Sequence, residues 1–165
     1  MPRLASVGIR RADVSDLPSL RRVETGALAA IHDLYQGRDD WQSLFDDGTV
    51  FTYLAEDDAP FGFVTAGRPR EEWFHNGSMG EIISLCVLPD YQGHGIGRHL
   101  LVHGMSVLKR RDFESALVWL REESERGRKL IEALGFEEID ACRTLNVAGN
   151  EIAEQAWCMS LDEFF

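Results

Sequence analysis

Three alternate glycines, Gly93, Gly95 and Gly97, stand between an apolar run ending at Leu88-Pro89-Asp90 and a second apolar segment opening at Ile96. Without a Cβ, glycine lets the main chain approach a ligand closely. If the first segment is a buried strand and the second a helix, the first helical N–H groups have no partner inside the helix. The helix dipole then adds positive potential at the same place. Such a turn cradles phosphate without needing a lysine. Arg98-His99-Leu100 follow Gly97, so the GxGxxG spacing of a dinucleotide fingerprint is missing. The P-loop pattern, GxxxxGK followed by Ser or Thr, is missing too. The same glycines also suit a tight strand-to-helix turn that binds nothing.

The other reactive residue types are scattered. Cys86, Cys142 and Cys158 lack CxxC spacing and lie among apolar neighbours, so they read as reduced core thiols of a cytoplasmic protein. No His or Cys pair stands at ligand spacing beside carboxylates, and no metal is expected. His94 lies inside the glycine turn, where its main chain matters more than its ring, and His103 reads as a helix-surface residue. Lys109-Arg110-Arg111 read as cations stabilising a helix C-terminus, with contact to a ligand phosphate as the alternative.

The elements that must position the turn follow from periodicity. Ile9–Ala12 suits a first short strand. Ser15 suits an N-cap, followed by Leu17, Leu20, Val23, Ala27 and Leu28 at helical spacing. The stretch from Ile31 to Phe45 reads as helical or irregular, broken at Gly37. Val50–Ala55 and Phe61–Ala66 flank the turn residues Glu56–Pro60 and predict a hairpin. Gly67–Gly80 is a polar connection, and Glu81–Leu88 a further strand. The helix leaving the turn carries Ile96, Leu100, Leu101, Gly104, Val107 and Leu108 on one face. A short buried strand, Ala116–Leu120, precedes a helix from Glu125 to Leu134 that ends at Gly135, a left-handed C-cap. Phe136–Val147 and Gln155–Leu161 read as closing strands around Ala148-Gly149-Asn150, and Trp119 and Trp157 as core or sheet-face residues. The order is mixed α/β, with strands and helices interleaved around one sheet.

Composition bounds the rest. At 165 residues the chain is expected to be one domain, 1–165, large enough to need no disulfide or metal staple. Seventeen Lys and Arg against 28 Asp and Glu give a formal charge of −11. That excess argues against nucleic acid and anionic membrane as partners and favours a cationic small molecule or peptide. No apolar run approaches the roughly 20 residues that span a bilayer. The N-terminus lacks the pattern of a signal peptide, which places the expected location in the cytoplasm.

The flanks of the turn resemble the GNAT acetyltransferase family. Its acyl-CoA motif reads Gln or Arg, two residues, Gly, one residue, then Gly or Ala, and Gln92, Gly95 and Gly97 fill those places. Val87-Leu88-Pro89-Asp90-Tyr91 is similar to the family's lead-in, and Glu132-Ala133-Leu134-Gly135-Phe136 to its late helix end. The resemblance covers most of the chain and implies a central, mostly antiparallel, splayed sheet flanked by helices.

It also implies roles. The main chain of Gln92, Gly93, His94, Gly95, Ile96, Gly97 and Arg98 would hold the pyrophosphate of acetyl-CoA. Leu85, Cys86 and Val87 would pair with its pantetheine arm, with the Val87 N–H aimed at the thioester carbonyl. Ser124 stands where the family commonly has asparagine and keeps a hydroxyl for the cofactor. Ile131 occupies the place of the family's tyrosine acid and cannot donate a proton, so the general acid is unassigned. A thiol with a pKa near 8–9 still makes thiolate departure tolerable. Transfer needs a neutral amine; an ammonium with a pKa of about 10 is only ~0.1% deprotonated at pH 7, which adds about 4 kcal/mol to the barrier. Glu81 matches the base glutamate of histone-acetylating members.

In such folds the acceptor enters opposite CoA, which here implicates Tyr35, Trp73 and His75, with His32, Trp41 and Phe74 nearby. Aromatics beside Asp39, Asp40, Glu71 and Glu72 suit a cationic amine, although packing and solvated faces account for the same residue types. The expected activity is acetyl transfer from acetyl-CoA to a primary amine of a small cationic molecule, by direct attack in a ternary complex. The alternatives are acetylation of a protein N-terminus or lysine, or a non-catalytic acyl-CoA sensor. Family members often pair, which leaves a homodimer open.

Overall fold

β-Branched and aromatic residues alternate through the middle of the chain, and they form the sheet on which everything else is mounted. The computed structural model describes residues 7–29, 40–74, 77–147 and 149–165. In chain order they give β1 (Gly8–Arg11), α1 (Leu17–Ala29), α2 (Trp41–Asp46), β2 (Val50–Glu56), β3 (Pro60–Gly67) and β4 (Met79–Val87). Then come α3 (Ile96–Arg110), β5 (Ser115–Arg121), α4 (Glu125–Leu134), β6 (Glu137–Val147), β7 (Asn150–Ser160) and α5 (Leu161–Phe164). The seven strands form one sheet in the order β1-β2-β3-β4-β5-β7-β6. Every neighbouring pair is antiparallel except β4 and β5.

Alternation along the strands sends apolar side chains to both faces, and each face has its own core. On one, α3 and α4 bury Leu100, Leu101, Met105, Leu108, Ile131 and Leu134 against Val64, Ile82, Val118 and Trp157. On the other, α1 and α2 bury Leu20, Val23, Trp41 and Leu44 against Leu54, Phe63 and Cys86. The predicted apolar face of α3 is the buried one, joined by Met105. Gly104 lets α3 lie close to the sheet, since a Cβ there would meet Ile82 and Val64 at 3.0 Å. α4 spans the predicted residues, and Gly135 caps it at φ +105°.

Several expectations are corrected. Asp13, not Ser15, caps the first helical segment: its carboxylate accepts the Ser15 N–H while the Asp16 carboxylate accepts the Asp13 N–H. A 3₁₀ turn over Val14–Asp16 then leads into α1. Arg10 grips Asp16 through both terminal nitrogens, at 2.8 and 3.0 Å, and holds that carboxyl below the usual range. Of the three thiols only Cys86 is buried; Cys158 is half-buried and Cys142 exposed, because β6 is the last strand of the sheet. His103 is half-buried: its ring sits edge-on to Tyr53 at 4.6 Å, and burial lowers its pKa. The last strand ends at Ser160, and Leu161 opens α5. Lys109 pairs with Asp162 of α5, and Arg111 lies 4.1 Å over the Phe51 ring, so both cations serve the fold.

Candidate active site

The sheet is forked. β4 and β5 pair over four rungs only, from Met79 with Ser115 to Ile82 with Val118, although each strand runs on. The fork begins at a bulge. On β3, Thr65 faces Ser84 while Ala66 faces Ile82, so Ile83 is the extra residue on β4. A bulge bends its strand and strengthens the twist, which turns the second half of β4 away from β5. Beyond it the Leu88 N–H donates to the Phe61 carbonyl at 2.9 Å, which fixes the parity of the antiparallel ladder. Cys86 therefore pairs with β3 through its main chain, while the main-chain groups of Leu85 and Val87 face the fork. These three are the residues expected to meet the pantetheine arm.

The glycine turn closes the end of that strand. A 3₁₀ turn over Pro89–Tyr91 brings the Tyr91 ring flat on Phe61, centroids 4.2 Å apart. The Gln92 side-chain amide donates to the Val87 carbonyl at 2.8 Å, which ties the turn to the end of β4. Gly93 at φ +80° and Gly95 at φ +82° take the left-handed conformation that other residues resist. The first bond inside α3 runs from the His99 N–H to the Gly95 carbonyl at 3.0 Å. The N–H groups of Ile96, Gly97 and Arg98 consequently have no acceptor within the helix. A Cβ placed on Gly97 would meet nothing within 4 Å, so space lies in front of these donors. A fork exposing main chain, ending in a cradle of unpaired N–H groups, fits the arm and diphosphate of acetyl-CoA.

Two features of this cradle were not expected from sequence. Arg126, at the start of α4, donates to the Gln92 side-chain oxygen Oε1 at 2.6 Å and so bridges the open end of the fork. Its guanidinium lies 3.8 Å from where a Gly93 Cβ would be. Only tertiary structure places α4 over the turn; the sequence signal is a lone arginine beside a helix cap. Ser124 turns out to be that cap, accepting the Gly127 N–H at 3.3 Å. Ile131 is buried in the α3–α4 core, so the family's tyrosine position holds packing rather than a proton donor.

Glu81 lies on the other face of the sheet, just before the bulge. It is 2% exposed and accepts the Arg70 main-chain N–H at 3.1 Å. Its rung partner on β3 is Gly67, two residues from Thr65, on the face that α1 and α2 cover. Along β5, Trp119 faces the same way, with Phe74 edge-on at 6.1 Å and the Arg143 guanidinium 4.4 Å above its ring. Arg143 donates to Glu71 at 2.8 Å and to Glu154 at 2.7 Å. This Arg143–Trp119 stack joins β5, β6 and the β3–β4 connection and could not be read from spacing.

The expected acceptor-lining residues divide. Tyr35 and His75, with His32 and Asp39, lie outside the described residues, as does the side chain of Trp73. Trp41 does not line the acceptor side: at the start of α2 it is fully buried against Phe63, and its indole N–H donates to the buried Glu24 of α1 at 3.3 Å. Among the described residues no group of three or more His, Cys, Asp or Glu could hold a metal ion.

Comparison with known proteins agrees with this geometry. The family described as "Acetyltransferase (GNAT) family" matches residues 16–136. An uncharacterised N-acetyltransferase of Archaeoglobus fulgidus is 29% identical over 129 residues, covering 73% of this chain and 86% of that protein. The mycothiol acetyltransferase of Thermobifida fusca is 37% identical over 113 residues, 68% of this chain but 26% of that protein. Among solved structures, the ribosomal-protein-S18-alanine N-acetyltransferase of Escherichia coli superposes with a TM-score of 0.75 at 18% identity, covering 94% of both chains. The protein yncA of Salmonella typhimurium, solved with its cofactor acetyl-CoA, gives 0.74 at 19% identity, again over 94% of both chains. With a forked, mostly antiparallel sheet, a GNAT turn at the head of α3 and a family match over most of its length, this chain belongs to the GNAT family of acetyl-CoA-dependent N-acetyltransferases.

Proposed function

We propose that this enzyme transfers the acetyl group of acetyl-CoA to a primary amine of a small cationic molecule, by direct attack within a ternary complex. The observation that carries the reading is Glu81, a buried carboxylate beside the fork and facing the side opposite the cradle's helix. In this reading the main chain of residues 92–98 holds the diphosphate and Leu85, Cys86 and Val87 align the pantetheine arm. The Val87 N–H, on the fork side of β4, donates to the thioester oxygen as negative charge develops there. Glu81 receives the proton that the amine must lose. The thiolate leaves without a side-chain acid, since Ile131 offers none.

A cationic acceptor is supported by the formal charge of −11. Attraction of this kind raises the local concentration of a polyamine or aminated small molecule. The purified enzyme, given acetyl-CoA with spermidine, a lysine-containing peptide or an alanine-headed peptide, is expected to release CoA fastest with spermidine. Release with the peptides alone would transfer the reading to protein acetylation. Tight acetyl-CoA binding with no turnover on any amine would make the chain a sensor.

A further inference from the structure

The Ser84 hydroxyl has no folding role. It is buried, yet its oxygen has no hydrogen-bond partner among the described residues. A buried hydroxyl left unpaired costs about 1–3 kcal/mol, so packing alone favours alanine there. Its two neighbours across the sheet behave differently: Thr52 and Thr65 face each other and share a hydrogen bond at 2.9 Å. Thr65 is the rung partner of Ser84, so the polar row Thr52–Thr65–Ser84 runs across the sheet and ends, unsatisfied, at the strand that lines the fork.

The bulge decides what this hydroxyl faces. In a regular strand, residues three apart point to opposite faces. Here Ile83 is extra, so Glu81 stands opposite Gly67 and Ser84 opposite Thr65, residues two apart on β3. Glu81 and Ser84 therefore share a face, on successive rungs about 7 Å apart. Ser84 is the one nearer the splayed half of β4. Glu81 itself is 2% exposed and already accepts the Arg70 N–H. A carboxylate that deep needs an intermediary to reach an amine in the fork, and about 7 Å suits one hydroxyl and one bridging water.

We infer that Ser84 is a catalytic relay: its hydroxyl takes the proton of the attacking amine and passes its own, through a water, to Glu81. The amine lone pair forms the C–N bond to the thioester carbon while the carbonyl π pair moves to oxygen. As the carbonyl reforms, the C–S bond breaks and CoA leaves as thiolate. The nitrogen's surplus proton moves to the Ser84 oxygen as the Ser84 proton moves to the Glu81 carboxylate, so charge and atoms balance. The inference rests on the reading of Glu81 as the base.

The test compares Ser84→Ala, Glu81→Gln and the double variant, with spermidine and the alanine-headed peptide as acceptors, alongside acetyl-CoA affinity and thermal unfolding. Ser84→Ala is expected to lose roughly 10- to 100-fold in kcat/KM, within the range of proton-transfer catalysis, while melting no lower than the parent. Acetyl-CoA affinity should stay within about twofold, and the double variant should be no slower than Glu81→Gln alone, the mark of two residues acting as one unit. A parental rate in Ser84→Ala with a slow Glu81→Gln overturns the relay and leaves the base standing. Multiplied losses in the double variant also overturn it. A parental rate in Glu81→Gln, or no turnover of any amine by the parent enzyme, overturns the base reading and the relay together.

Discussion

Replacing Glu81 with glutamine is expected to lower turnover at pH 7 by about 10²–10⁴-fold, the usual worth of a positioned general base. The substitution keeps size and the hydrogen bond from the Arg70 N–H, because the glutamine carbonyl oxygen accepts as the carboxylate did. What it removes is the ability to take a proton. The loss should therefore shrink as pH rises, since solution supplies a larger fraction of neutral amine; near pH 9.5 roughly tenfold should remain. Circular dichroism and acetyl-CoA affinity should match the parent. A pH–rate profile parallel to that of the parent at every pH would remove Glu81 from the chemistry.

Placing leucine at Gly97 is expected to weaken acetyl-CoA binding by at least about 100-fold, near 2.7 kcal/mol, without harming the fold. Gly97 is helical and not in the left-handed region, so leucine meets no backbone strain. Beyond its own helix backbone, its Cβ would meet nothing within 4 Å. In a helix the Cα–Cβ bond tilts toward the N-terminus, so the new side chain leans into the space faced by the unpaired N–H groups. Leucine is also a better helix former than glycine by somewhat under 1 kcal/mol, so the melting temperature should hold or rise. Rising KM for acetyl-CoA with unchanged or higher thermal stability separates a blocked cradle from a damaged fold. An unchanged KM would show that the space in front of Gly97 is not where the phosphates lie.

The glycine turn was legible because its signals are local. Glycine at 93 and 95 answers to φ, the apolar face of α3 to helical spacing, and Gly135 to a left-handed cap, all within a few residues. The first helix start went to the wrong residue for the same kind of reason. Asp13 and Ser15 are both good caps, and the Asp16 carboxylate that completes the box is drawn in by Arg10 as well. Errors multiplied where a tertiary partner decides. Trp41 looked like an acceptor-lining aromatic until α2 folded it into the core beside α1, and Cys142 looked buried until β6 became the outer strand. The shared face of Glu81 and Ser84 was invisible, because one extra residue at Ile83 inverts the alternation that sequence reading assumes. Arg126 and Arg143 reach partners 34 and 72 residues away, distances at which spacing carries no signal.

Main-chain N–H groups, rather than cationic side chains, are proposed to hold the diphosphate of acetyl-CoA at the head of α3. Amide resonances of the ¹⁵N-labelled protein test this directly when acetyl-CoA is added to saturation, as judged by calorimetry. The amides of Gly93 to Arg98 are expected to move most, with those of Leu85 and Val87 next. Saturation that leaves the amides of residues 93–98 in place would contradict it.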